Sequence, residues 1–257
     1  MSSSLSGLTA AWAFEGATGR GVQVAVVDSG IDDTHPAVGA VASAVAWSWD
    51  PSTGSAVLDP HSTGDLYGHG TACAGIIRAT APEVSLHSVR VLGSRLSTKG
   101  PVFAAGLRHA IRSGARVVNL SLSTNRQDFA AAFHDLADEA FFAGVLLVCA
   151  VNNVPGPSFP SEFASVISVA ANDGRTAFDL DCNPHPPPEF GAPGLNLRVP
   201  WSGGGTVDVT GNSFAAPHVS GLVALMLSKH PDLSPYDVKA VLRAVARNTA
   251  TTPGSPP

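Results

Sequence analysis

The sequence predicts an α/β fold built on a mostly parallel sheet, and three observations carry that prediction. Apolar, β-branched runs of strand length recur along the chain, segments of helical periodicity separate them, and several of the runs end in polar residues. The first run, "GVQVAVVDSG", reads as a buried strand stopped by a turn at Ser29 and Gly30. "SLHSVRVL", "RVVNLSL", "GVLLVCAVNN" and "ASVISVAA" read the same way. "GPVFAAGLRHAIRSGA" is helical with Gly114 as its stop, and "DFAAAFHDLADEAFFAG" is a helix opened by Asp128 and closed by Gly144. "NSFAAPHVSGLVALMLSKHP" and "SPYDVKAVLRAVAR" form a helical C-terminal part. Asn212 or Ser213 caps the first of these, and Ser234 followed by Pro235 starts the second. Asp28, residues 121–124, and Asn152 with Asn153 fall at strand ends, where functional groups collect in open parallel sheets.

Composition narrows the function classes. The 257 residues are 44% apolar and 14% charged, enough to bury a core as one domain over residues 1–250, with a Pro-rich tail or linker start at 251–257. A net charge of -5 without a basic stripe gives no reason to expect nucleic acid as a partner. No apolar run is long enough to span a bilayer, and the N-terminal residues lack the pattern of a secretory leader. Cys73, Cys149 and Cys182 are too few and too scattered for a disulfide framework or a zinc site, so three reduced thiols are expected. These features predict a soluble cytoplasmic monomer, with a secreted mature domain lacking its leader and propeptide as the alternative.

Three short motifs then stand together. "VVDSGID" puts Asp28 at a strand end, "YGHGTACAG" puts His69 between glycines before a helix, and "TGNSFAAPHVSG" puts Ser213 at a helix start. Serine is a weak nucleophile until a base takes its proton, and the base needs a carboxylate to fix its tautomer; an Asp, a His and a Ser therefore suit acyl transfer. Singly, each has a plain structural reading: a turn aspartate, a histidine among glycines, a helix cap. His218 reads as a packing residue, and Asp32 and Asp33 as solvated groups past the turn.

With these motifs in the order Asp, His, Ser over residues 7–246, the chain resembles the subtilases, the subtilisin-like serine proteases. The resemblance implies a three-layer, doubly wound sandwich and a serine endopeptidase with Asp28, His69 and Ser213 as triad. It further implies an oxyanion hole from the Ser213 N–H and an asparagine side chain. Counting from Gly144 nominates Asn153; a count shifted by one nominates Asn152. Substrate would lie as an added strand against residues 96–100 and 121–123, contacting Leu96, Ser97, Thr98, Ser121, Leu122 and Ser123. Ser158 falls where a glycine usually opens the first specificity pocket, and Ser123 and Thr124 stand in place of two glycines, so a narrow, stiff pocket is expected. Cys73, one helical turn after His69, resembles the thiol-containing branch typified by proteinase K and thermitase. Phe214 replaces an oxidisable methionine beside the nucleophile. The link between "HGTACAGIIR" and "APEVSLHSVRVL" is too short for the family's tight calcium loop, so no cofactor is expected, with calcium left open at a weaker carboxylate site. "DLDCNPHPPPEF" reads as a rigid surface loop in preference to a metal site at Cys182 and His185. The substrate is a peptide or protein, with a precursor peptide matured inside the cell set against general turnover. A peptide-binding module without catalysis and an acyl-transfer variant are the competing functions.

Overall fold

A computed structural model describes residues 7–59, 61 and 63–249; the tail assigned to 251–257 lies outside them. The chain opens with α1 (Ala10–Phe14), β1 (Gln23–Asp28), β2 (Ser43–Asp50), β3 (Ser55–Asp59), α2 (His69–Thr80) and β4 (Ser85–Arg90). It continues through α3 (Gly100–Arg112), β5 (Val117–Leu120), α4 (Ala130–Phe142), β6 (Leu146–Ala150) and β7 (Ile167–Asn172). The last part holds β8 (Asp181–Cys182), β9 (Phe190–Pro193), β10 (Leu197–Trp201), β11 (Gly205–Val209), α5 (Asn212–Lys229) and α6 (Pro235–Val245).

Among the described residues, nine strands form one sheet in the order β3-β2-β4-β1-β5-β6-β7-β9-β8. Pairing is parallel from β2 through β9, and the short strands β3 and β8 are antiparallel at the edges. Strand periodicity splits the core in two. In β1, Val24 and Val26 face a cluster that includes Leu222 and Met226 of α5 and Val238 of α6, while Ala25 and Val27 face Phe103 and Leu107 of α3 and Phe133 of α4. Helices thus cover both faces, giving the three-layer sandwich. α5 is apolar almost all round because it lies inside the molecule, with its buried residues running from Phe214 to Leu227.

The site position follows from the strand order. β1 has β4 on one side and β5 on the other, so the connections diverge at its carboxyl end and open a crevice there. Asp28 ends β1 and Ser121 follows β5.

The main elements match their sequence readings, with Gly114 and Gly144 left-handed just past α3 and α4. Asp128 does not cap α4: it sits in a 3₁₀ turn, Gln127–Phe129, and pairs with Arg126 at 2.6 Å. The segment around Cys182 is more than a surface loop, since β8 pairs with β9 and Asp181 binds Arg247 at 2.7 Å. No helix among the described residues is long and apolar enough to cross a membrane.

Candidate active site

Asp28 is fully buried at the end of β1. Its carboxylate accepts the Ser29 N–H at 2.7 Å and meets His69 Nδ1 at 2.9 and 3.0 Å through its two oxygens. Its backbone carbonyl takes the N–H groups of Val91 and Leu92, so the adjoining strand fixes the residue as well. A nitrogen that donates to carboxylate carries the proton, which leaves Nε2 of His69 as the acceptor. Burial alone would push this imidazole down. The adjacent Asp28 carboxylate outweighs it and holds His69 well above the ordinary 6.5.

His69 begins α2, where the preceding Gly68 is left-handed (φ 118°) and no N-cap side chain bonds the helix. Asp65 supplies that function from upstream. Its Oδ1 accepts from the N–H groups of Tyr67 and Gly68 and from the Ser29 hydroxyl; its Oδ2 accepts from the Thr71 N–H and hydroxyl. The sequence reading missed Asp65, whose signal was a carboxylate just ahead of a glycine-marked helix start. The flanking glycines are steric needs. A Cβ on Gly68 would lie 2.3 Å from the Trp201 ring, and one on Gly70 would lie 2.0 Å from the Gly30 carbonyl oxygen.

Ser213 is the second residue of α5, and the N-cap is Gly211 with no side-chain bond. The expectation that Asn212 or Ser213 caps the helix is therefore corrected. Both lie inside the helix, where a cap cannot sit, and Asn212 spends its amide tying strands together. Its Oδ1 accepts from Ala171 N–H, and its Nδ2 donates to the carbonyls of Val151 and Asn152. Pro217 is the sixth residue of the helix, so its missing N–H strips the Ser213 carbonyl of its helical partner. Ser121 Oγ donates to that carbonyl at 2.7 Å. The same hydroxyl accepts from Asn119 Nδ2, whose Oδ1 accepts from Ser220. The Ser121 side chain thus supports the Ser213 backbone.

The two asparagines separate by what binds them. Asn152 is committed on both ends of its amide: Oδ1 accepts from Ser123 Oγ at 2.6 Å and Nδ2 donates to the Pro157 carbonyl at 2.8 Å. Asn153 Oδ1 accepts the Asn212 N–H at 2.9 Å, which fixes the end of the amide that carries the Nδ2 donor. The point where Gly211 lacks a Cβ lies 3.5 Å from Ser213 Oγ and 3.6 and 3.7 Å from Asn153 Oδ1 and Nδ2, so this amide stands beside Ser213.

His69, Ser213, Asn153, Leu96, Ser121, Leu122 and Ser123 all border one cleft of about 500 Å³. A second groove of about 550 Å³ continues from it past Leu96 and Leu122 and is lined by Ser97, Thr98 and Phe129. Ser158 is buried, and its hydroxyl accepts from the Asn152 N–H and from Ser161 Oγ. It borders a cavity of about 340 Å³ that shares Val151, Asn152 and Asn153 with the cleft.

Cys73 lies where the helical spacing puts it, with Sγ 4.0 Å from His69 Nδ1, 3.9 Å from Asp28 Oδ2 and 3.7 Å from the Ser213 carbonyl. Burial pushes its thiol up, so it stays neutral. Among the described residues, Asp28, His69 and Cys73 form the one group close enough to share a metal, and Cys182 with His185 does not. Asp32 is not merely solvated; its carboxylate accepts from the Thr34 N–H and hydroxyl and from the Gly203 N–H. Asp33 is exposed. His218 keeps some exposed ring, yet both its nitrogens are sealed from solvent without a partner, and burial lowers it to about 4.

The sequence pattern of the subtilase family matches residues 19–256. The chain belongs to the subtilase family. It is a subtilisin-type serine endopeptidase. This subtilase is 33% identical over 260 residues to Subtilisin Savinase of Lederbergia lenta, covering 93% of this chain and 87% of that one. It is equally similar to an alkaline protease of Alkalihalobacillus alcalophilus, of whose length it spans 62%. The crystal structure of a cold adapted subtilisin-like serine proteinase shares the fold, with a TM-score of 0.71 at 24% identity, covering 92% of this chain and 88% of that one. Against that family pattern, this subtilase carries Phe214 beside Ser213, its ring 5.2 Å from that of His69. It also joins α2 to β4 through residues 81–84 alone.

Proposed function

We propose that this subtilase cleaves peptide bonds through an acyl-enzyme on Ser213. The Ser213 hydroxyl attacks the scissile carbonyl while its proton passes to His69 Nε2. Asp28 holds Nδ1–H and stabilises the imidazolium that results. The tetrahedral oxyanion takes hydrogen bonds from Asn153 Nδ2 and from the Ser213 N–H, which at the second position of α5 has no carbonyl to bond within the helix. Collapse breaks the C–N bond, His69 returns the proton to the leaving amine, and water repeats the sequence to release the acid. The observation that carries this reading is the two-point contact of His69 Nδ1 with Asp28, at 2.9 and 3.0 Å, beside a cleft that Ser213 and Asn153 share. The test is covalent labelling by a fluorophosphonate. Stoichiometric label on wild type, absent in Ser213→Ala, is the expected result. A folded wild-type sample that takes no label would make the chain a peptide-binding module.

The substrate reading is narrower than general proteolysis. The Ser123–Asn152 hydrogen bond crosses from one wall of the cleft to the other. Behind it, Thr124 and Phe159 exchange backbone bonds at 3.0 and 2.9 Å. Side chains thus stand where the family has glycines, which favours a small residue on the acyl side of the scissile bond. Such restriction fits maturation of a precursor peptide by a monomer, since one chain holds the whole cleft. Three free cysteines, two of them buried, support work in the reducing cytoplasm. The reaction so drawn uses no cofactor. A library cleavage profile should cluster on glycine, alanine and serine before the cut, and the Ser123→Gly, Asn152→Gly double variant should admit larger side chains. A wild-type profile led by bulky residues would refute the restriction. Transfer of the acyl group to an amine uses the same residues and is read in the same assay from ligated products.

A further inference from the structure

Two aromatic side chains that border the cleft have no part in the chemistry above. Tyr67 lies two residues before His69 and is 44% exposed. Trp201 ends β10, and its ring stands 5.6 Å from that of Tyr67 at an interplanar angle of 66°. Both border the cleft that holds Ser213. The hairpin carrying Trp201 is fastened at its turn: Asp32 accepts the Gly203 N–H at 2.9 Å, and His35 Nε2 bonds the Gly205 carbonyl at 2.9 Å. His35 Nδ1 accepts from the Ala37 N–H, so Nε2 carries the proton and donates. The ring also has nowhere to retreat, because it already fills the space a Cβ on Gly68 would need.

The acyl half of an extended substrate takes the groove past Leu96 and Leu122. The leaving half must then run the other way, past His69, which hands its proton to the departing amine. We propose that Tyr67 and Trp201 form a rigid aromatic shelf that selects an apolar, ring-bearing side chain on the first residue after the scissile bond. A cation is not the match. The nearby carboxylates of Asp65 and Asp32 are both occupied by donors within the fold. By microscopic reversibility the same shelf receives an attacking amine, so an aromatic amine should capture the acyl-enzyme better than glycinamide. In that step the amine nitrogen bonds the acyl carbon, its proton passes to His69 Nε2, and the Ser213 oxygen leaves and regains a proton from it.

This inference rests on Ser213 and His69 acting as proposed. The test uses three internally quenched peptides that differ only after the scissile bond, with Phe, Arg or Gly there. Wild type should favour Phe over Gly by about tenfold in kcat/KM, the scale of aromatic contact plus apolar burial. Trp201→Ala and Tyr67→Ala should each bring the Phe/Gly ratio close to one, while Trp201→Phe should keep most of it. A wild-type ratio near one, or a preference for Arg, overturns the proposal. So does an alanine pair that lowers both substrates equally, since Trp201 would then serve only as packing under Gly68. Should Trp201→Ala fail to fold, the exposed Tyr67→Ala decides alone. A wild-type protein that hydrolyses none of the peptides and takes no fluorophosphonate label refutes the underlying mechanism instead.

Discussion

Asn153 shows how a single backbone N–H can set a side chain's role. The Asn212 N–H holds its Oδ1, so the amide does not flip, and its Nδ2 remains a donor beside Ser213. Asn153→Ala should lower kcat about 10²–10³-fold with KM little changed, the magnitude known for the oxyanion-hole asparagine of subtilisin itself. A fall of under threefold would remove Asn153 from the reaction. Phe214 makes the second residue-scale prediction. It packs at 6% exposure over Ala72, Ile76 and Val199, with no sulfur to oxidise. Mild peroxide should therefore leave activity nearly intact, and Phe214→Met should become peroxide-sensitive. Equal sensitivity of the two proteins would contradict the assignment.

At the scale of elements, α5 starts with a defect that the sheet repairs. Pro217 deprives the Ser213 carbonyl of its helical donor, and Ser121, just past β5, supplies another through a buried chain running to Asn119 and Ser220. Ser121→Ala should cost about 1 kcal/mol by leaving that carbonyl only the weak donor Cys73 Sγ at 3.7 Å. In a Pro217→Ala background, where residue 217 regains its N–H, the same change should cost much less. Equal costs in the denaturant-unfolding cycle would show that the two residues do not share this carbonyl. The strands and long helices were legible in sequence because apolar periodicity states them directly. What stayed hidden depends on distant partners. The pairs β2–β3 and β10–β11 carry weaker alternation, Asp65 acts only once its loop is folded, and the bond of the Ser158 hydroxyl to the Asn152 N–H has no local signal. The three residues proposed as the triad stand in motifs legible in the sequence; preferring Asn153 to Asn152 for the proposed oxyanion hole draws on the contacts of each amide.

Across the whole molecule, the sheet holds Asp28 and α5 carries the proposed nucleophile, so global stability and activity share one core. His218 ties that stability to pH. Its folded value of about 4 lies below the ordinary 6.5, so the folded state resists protonation more than the unfolded chain does. The stability it contributes is full above pH 6.5 and declines as pH falls toward 4, by about 3 kcal/mol at 1.36 kcal/mol per pH step. His218→Leu should flatten the unfolding free energy across that window, and an unchanged slope would assign the acid loss elsewhere. His69 runs the other way. Its raised value puts the neutral, proton-accepting form above pH 6.5, so the acid limb of kcat/KM should lie there too.

The central claim is that Ser213 is a nucleophile activated by His69. Its most direct measurement is the second-order rate of fluorophosphonate labelling against pH, with the adduct located by mass spectrometry. The rate should rise with pH through a midpoint above 6.5, place the label on Ser213, and collapse in His69→Ala. A pH-independent rate, a label elsewhere, or full labelling of His69→Ala would contradict it.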